Sequence, residues 1–253
     1  MKIVSWNCHY GLDKNKFKKI VNHKDFGNAN VYAFQEVLEN EFTDIADFDE
    51  KNVYKYRHWY GDHKEYGNCH IPRGAEGDLG IVLMSKDYKI QRFDQGLIKF
   101  RYVVPYLMTN KSDTKDKFIL IHVWTKGQPD GYIKPIYDAL EFYNEQFELN
   151  DMKKVLMLGD FNFGIDFKNN QHRKILTEIE EKIKGIGKGL IRSEKFSNSE
   201  TFKYARNGNF YFNDCIYTKD INVKNIVIGN KNDWIDSNMS DHCPIMAELA
   251  LNN

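Results

Sequence analysis

Cysteine and proline are scarce in this chain, 4 and 5 among 253 residues, and no stretch combines proline, glycine and serine. The composition of a flexible interdomain linker is therefore missing. Cys8, Cys69, Cys215 and Cys243 are too sparse for a disulfide scaffold. Cys215 and Cys243 sit in apolar runs and read as small core residues. No run approaches the length of a membrane span, so no membrane association is expected. Net charge is lacking too, because 36 Lys and Arg balance 36 Asp and Glu. A neutral total argues against salt-driven coating of DNA, though a local basic patch fits within it. Asn7, which opens the first motif below, lies too close to Met1 for an apolar signal segment, and the expected location is the cytoplasm.

What is present suffices for a large core: 42% of residues are hydrophobic and 14% aromatic. Strands are expected at Lys2–Trp6, Ala29–Gln35, Val53–Tyr60, Leu79–Met84, Tyr88–Phe93, Lys99–Met108, Lys117–Trp124 and Val155–Leu158. Further strands are expected around Thr201-Phe202, Tyr211–Tyr217, Val223–Ile228 and Pro244–Leu251. Helical spacing links Phe17, Ile20 and Val21, then Tyr132, Ile136, Leu140, Tyr143 and Phe147, then Ile175, Leu176, Ile179 and Ile183. A short acidic helix is expected over Glu39–Phe48. Strands with a few interleaved helices fit stacked sheets with helices outside.

Four apolar strands stop at, or start from, polar residues able to do chemistry. Asn7 follows Lys2–Trp6, and Glu36 follows Val31–Gln35. Gly159-Asp160-Phe161-Asn162 follows Val155–Leu158, and Ser240-Asp241-His242 precedes Pro244–Leu251. This is how an α/β enzyme gathers a polar site at one edge of its sheets. Because the motifs span residues 7 to 242, one domain over 1–253 is expected. Each residue alone has an ordinary reading: a strand-end turn for Asn7 or Asn162, a solvated Glu36, a surface Asp-His pair. Their joint occurrence outweighs those readings.

Together the motifs resemble the endonuclease/exonuclease/phosphatase superfamily, the deoxyribonuclease I-like fold. The resemblance covers nearly the whole chain and is most specific at 159–162 and 240–242. It implies an α/β fold, a four-layered α/β sandwich of two packed, mostly antiparallel or mixed β-sheets flanked by helices. It also implies a hydrolase of phosphodiesters, a nuclease in the first instance, with a phosphatase or phosphodiesterase of a small phosphorylated molecule as the alternative. Glu36 is expected to bind Mg²⁺ or Mn²⁺ with Asn7 and Asp241, since such hard cations take few carboxylates and keep waters. Asp160 and Asn162 are expected to present the attacking water, and His242, braced by Asp214, to stabilise developing charge. His122 is expected near the leaving group, with Glu76 or Asp78 as its acidic partner. Trp124, Tyr204, Arg206 and Arg73 are expected to meet substrate through stacking or charge. Nucleic acid is the expected partner, and no obligate protein partner is indicated.

The chain departs from the abasic-site branch of the superfamily. Its Tyr-x-Pro-Asn segment is replaced by His122-Val123-Trp124-Thr125, and its Arg-Ile-Asp-Tyr segment by Phe212-Asn213-Asp214-Cys215. Abasic-site repair is thereby disfavoured. His63, Cys69 and His70 cluster without a standard zinc spacing or a fourth ligand, so zinc is set aside. His9 reads as a surface histidine.

Overall fold

The computed structural model describes residues 1–49, 53–61, 79–93, 102–125, 132–146, 154–193 and 199–251. In chain order the elements begin β1 (Lys2–Asn7), α1 (Lys14–Asn22), β2 (Val31–Leu38), α2 (Glu39–Phe48), β3 (Tyr56–Gly61) and β4 (Leu79–Ser85). They continue through β5 (Tyr88–Arg92), β6 (Val103–Asn110), β7 (Lys117–Trp124), α3 (Lys134–Gln146), β8 (Val155–Ile165) and α4 (Asn170–Ile186). Last come β9 (Ile191–Arg192), β10 (Phe202–Lys203), β11 (Phe210–Lys219), β12 (Asn222–Ile228), α5 (Lys231–Trp234) and β13 (Ile245–Ala250).

Two mixed sheets form the centre. One runs β12-β13-β1-β2-β4-β3; the other runs β10-β11-β8-β7-β6-β5, with β9 beside β11. Within each, one central pair is parallel, β1 with β2 and β7 with β8, and the named neighbours otherwise pair antiparallel.

Strand alternation sorts the side chains into layers. Ile3, Val31, Ala33, Ile81 and Leu83 turn inward to a core shared with the second sheet, α3 and α4. Their chain neighbours Val4, Tyr32, Phe34, Val82 and Met84 turn outward, onto Phe17 and Ile20 of α1 and Ile45 of α2. Helix, sheet, sheet, helix is the four-layered α/β sandwich expected. Asp13 caps α1, its side chain accepting from Asn15 and Lys16 amides, and Asn169 caps α4 in the same way.

The inward positions of β1 and β2 end in Ser5, Asn7 and Gln35, all buried. They face His122 and Asp160 of the second sheet, so the polar residues gather where the two inner faces open at one edge. Arg73, Glu76, Asp78, His63, Cys69 and His70 lie outside the described residues.

Candidate active site

Asn7 is the hinge of the site. Its amide donates to Asp160 Oδ2 at 2.9 Å and to Glu36 Oε1 at 3.1 Å, tying the two sheets together. Its Oδ1 accepts from the His9 amide at 2.9 Å. Glu36 reaches this position through a β-bulge. In a regular strand the residue after inward-facing Gln35 points to the opposite face. The register of β2 against β4 slips between Gln35 and Val37, and Glu36 takes φ +59°, which returns its carboxylate towards Asn7. Its other oxygen accepts from the Tyr10 amide at 3.2 Å.

Asp160 sits where β8 pairs Trp124 on one side and Asp214 on the other. Gly159 before it holds φ +142°, and a Cβ there would lie 1.9 Å from the Val123 carbonyl oxygen, so only glycine fits. Asp160 Oδ1 accepts the Asn162 amide at 2.9 Å, and Oδ2 accepts the Asn162 side-chain NH₂ at 2.9 Å. The two residues share a side as expected, but by a left-handed Asn162 (φ +51°) and not by plain strand alternation. The same NH₂ donates to the Thr125 carbonyl at 2.7 Å, and Thr125 Oγ1 donates back to the Phe161 carbonyl at 2.7 Å.

His242 is buried between carboxylates. Nδ1 lies 2.8 Å from Asp214 Oδ2, and Nε2 is 3.9 Å from Asp160 Oδ2 and 3.8 Å from Asp241 Oδ1. Burial works against a charged imidazole, but Asp214 and then Asp160 outweigh it and raise its pKa to about 10. Asp160 is pushed up by burial, to about 7, against the opposing pull of the His242 cation. The histidine is placed by its own chain: Ser240 Oγ donates to the Asn7 carbonyl at 2.7 Å and accepts the His242 amide at 3.0 Å. Trp6 Nε1 donates to the His242 carbonyl at 3.1 Å, and the Phe202 ring packs on the imidazole at 4.6 Å. Thr201 Oγ1 accepts the amides of Asn213 and Asp214, fixing the bulged turn that aims Asp214.

Asp241, half-buried, meets His9 Nδ1 at 3.0 Å. Burial raises its carboxyl, yet the bond from His9 and the charge of His242 hold it below the ordinary range. Its Oδ1 is buried without a hydrogen-bond partner. Tyr204 and Arg206 lie exposed on the β10–β11 turn, and Lys203 of that hairpin donates its amide to the Asp241 carbonyl at 2.9 Å.

Two expected residues sit elsewhere. Trp124 is 1% exposed, its ring 4.5 Å from that of Tyr102, and offers substrate no face. An inward strand position buries it because apolar area is worth more inside than at a rim. His122 lies between the sheets, fully buried, with Nε2 2.7 Å from the Gln35 amide nitrogen. Burial lowers it to about 3, so it is neutral. Its expected partners Glu76 and Asp78 are outside the described residues, and Gln35 takes the contact. Sequence reasoning gave no role to Thr125, Thr201 and Ser240, single hydroxyls that stand beside or, for Ser240, within a motif.

No model of a known protein family and no curated protein matches the sequence. Solved structures do match along its length. The chain is similar to a 3'-5' exonuclease, NExo, from Neisseria meningitidis at TM-score 0.66 and 16% identity, covering 98% of this chain and 99% of that one. The fold is the one that these solved structures share. An endonuclease/exonuclease/phosphatase from Bacteroides vulgatus matches at TM-score 0.63 and 15% identity, over 99% of this chain and 98% of that one. A mannosyl-6-phosphatase from Bacteroides thetaiotaomicron matches at 0.59 and 14%, over 99% of each. Within this fold the polar cluster stands at the open edge of the sandwich, with Asn7, Glu36, Asp160, Asp214 and His242 drawn from five different strands or strand ends.

Proposed function

We propose that this chain is a divalent-metal-dependent phosphodiester hydrolase, a nuclease acting on DNA or RNA. The observation that carries the reading is the polar series Asp214–His242–Asp160–Asn7–Glu36, hydrogen-bonded at every step but the 3.9 Å ionic approach of His242 to Asp160 and buried up to half-buried Glu36. Asp160, raised towards neutrality, suits the task of taking a proton from water, because a base works best with its pKa near the operating pH. Asn162 fixes the Asp160 carboxylate through two donors. His242, held cationic by Asp214, offers charge and an Nε2 proton to a phosphate gaining negative charge.

Glu36 and Asp241, with the Asn7 amide, are the residues that would hold Mg²⁺ or Mn²⁺. The fit rests on the buried Oδ1 of Asp241, which accepts no hydrogen bond, and on a hard-oxygen donor set. When bound, such an ion neutralises phosphate charge and orients it. Asp160, Asp214 and His242 also lie close enough to ligate an ion, their donor atoms within 4.8 Å of one another. The Nδ1–Asp214 bond engages that imidazole, which favours the hydrogen-bonded dyad. Support for a nucleic-acid substrate comes from similarity to NExo, one structure of which is described as a 3' phosphatase bound to product DNA hairpin. Tyr204 and Arg206 on the adjoining hairpin add an aromatic face and a cation.

A substrate panel with Mg²⁺, Mn²⁺ or excess chelator tests the reading: plasmid DNA, single-stranded DNA, RNA, an activated phosphodiester and small phosphomonoesters. Metal-dependent cutting of nucleic acid is expected, and Tyr204→Ala with Arg206→Ala should impair it while sparing the activated diester. Hydrolysis confined to phosphomonoesters would move the chain to the small-molecule phosphatases.

A further inference from the structure

Beside the two carboxylates assigned to the metal, the loop after β1 is built with more effort than a connection needs. His9 and Tyr10 are consecutive non-glycine residues with positive φ, +47° and +57°. Such positions are unfavourable and persist where the surroundings impose them. Here the Lys16 ammonium donates to the carbonyls of Cys8 (2.5 Å), His9 (3.3 Å) and Gly11 (2.9 Å). Glu41 takes the Leu12 amide at 2.7 Å, and the His9 and Tyr10 amides are taken by Asn7 and Glu36.

The product of this clamp is a pair of rings at the mouth of the site. His9 and Tyr10 have centroids 4.6 Å apart with planes tilted by 53°, so His9 backs Tyr10, which is 42% exposed and presents the open face. The pair is tied to both carboxylates, the Tyr10 amide donating to Glu36 Oε2 at 3.2 Å and His9 Nδ1 meeting Asp241 Oδ2 at 3.0 Å. His9 also lines a groove of about 370 Å³ shared with Lys203, Asn238 and Asp241. An ordinary exposed loop tyrosine needs neither the strained backbone nor the three-carbonyl clamp.

We infer that His9 and Tyr10 form a fixed stacking platform for an unpaired nucleobase next to the scissile phosphate, on the Glu36–Asp241 side of the site. The inference rests on the nuclease reading and deepens it. A neutral π-face suits a base, whereas two carboxylates nearby disfavour an added anion. Inside a duplex a base has neighbours on both faces, so the platform serves single strands or frayed ends. Tyr10 is a positioning residue; its side chain takes no part in the chemistry.

The test uses the full chain as wild type, Tyr10→Phe and Tyr10→Ala, with a single-stranded oligonucleotide, its duplex, and a strand carrying abasic sugar units around the cut. Tyr10→Ala is expected to raise KM on the single strand about 5- to 150-fold, the effect of one lost base stack, with kcat little changed. Tyr10→Phe should restore it. On the abasic strand wild type and Tyr10→Ala should be equal, since the base is already gone, and the Mg²⁺ requirement should not move. Anisotropy in excess chelator should show the same loss of single-strand binding. Equal loss on the abasic strand, or a changed Mg²⁺ requirement, would assign Tyr10 to supporting the carboxylates and overturn the platform. So would unchanged KM and binding on the single strand. If wild type cuts no strand and hydrolyses only phosphomonoesters, the nuclease reading itself has failed and the platform falls with it.

Discussion

The Nδ1 atom of His242 lies 2.8 Å from Asp214 Oδ2, and both side chains are buried. The imidazole thus binds its proton more tightly in the folded chain than its ordinary 6.5, up to about 10. A group raised in this way gives stability that is full below 6.5 and is lost as pH rises through about 10. Urea unfolding of wild type should show that alkaline loss, and Asp214→Asn should largely abolish its slope. Asp214→Ala, which strands a buried charge, should cost about 3–5 kcal/mol near neutrality. An unchanged slope in Asp214→Asn would refute the coupling.

Asp160 and Asn162 act as one unit, since the Asn162 amide and side chain bind both Asp160 oxygens. Asp160→Asn should lower turnover about 10²–10⁴-fold, as loss of a general base does. Asn162→Ala should also cripple turnover with little effect on substrate binding. The double variant should be far less than multiplicatively worse. Single-turnover rates for Asp160→Asn close to wild type would remove it from the role of base.

Glu36→Gln keeps the shape of the bulge and removes a charge. Activity should vanish in excess chelator and return with Mg²⁺ or Mn²⁺, and the variant should need more Mg²⁺ for half-maximal rate. Its thermal midpoint should stay near wild type. Full wild-type activity in chelator would sink the metal assignment.

His122 makes the opposite pH prediction from His242. Its folded pKa of about 3 lies below the ordinary 6.5, so stability present above 6.5 is lost as pH falls towards 3. His122→Gln should lessen that acid loss in urea unfolding measured across the range. An acid limb as steep as wild type's would show that the imidazole is not held neutral.

Much of this fold is legible in the sequence, because an apolar run such as Phe118–Ile121 has few ways to be anything but a central strand. The strand-end residues Asn7, Glu36, Asp160 and His242 are legible because polar chemistry after buried strands is uncommon unless used. The Glu36 bulge is not: it depends on a register slip against β4 that no local pattern marks. Trp124 misleads for a related reason. It closes the strand expected over Lys117–Trp124, and a strand end suggests a rim, yet Tyr102 covers its ring. The His9–Tyr10 pair escapes notice because its meaning lies in φ angles and in Lys16, six residues on from Tyr10.

Lys2 of β1 pairs with Glu248 of β13, and Trp6 and Ser240 complete the seam between those two parts of the chain. The strand bearing Asn7 is therefore an open edge during synthesis until residues near 248 emerge. At about 5–20 residues per second, that interval lasts many seconds. The polar cluster around Asn7 therefore cannot assemble until residues 240–248 have left the ribosome. The same delay exposes a strand edge prone to wrong pairing, so slow translation or early termination should yield inert, aggregation-prone chains and not a free, active fragment.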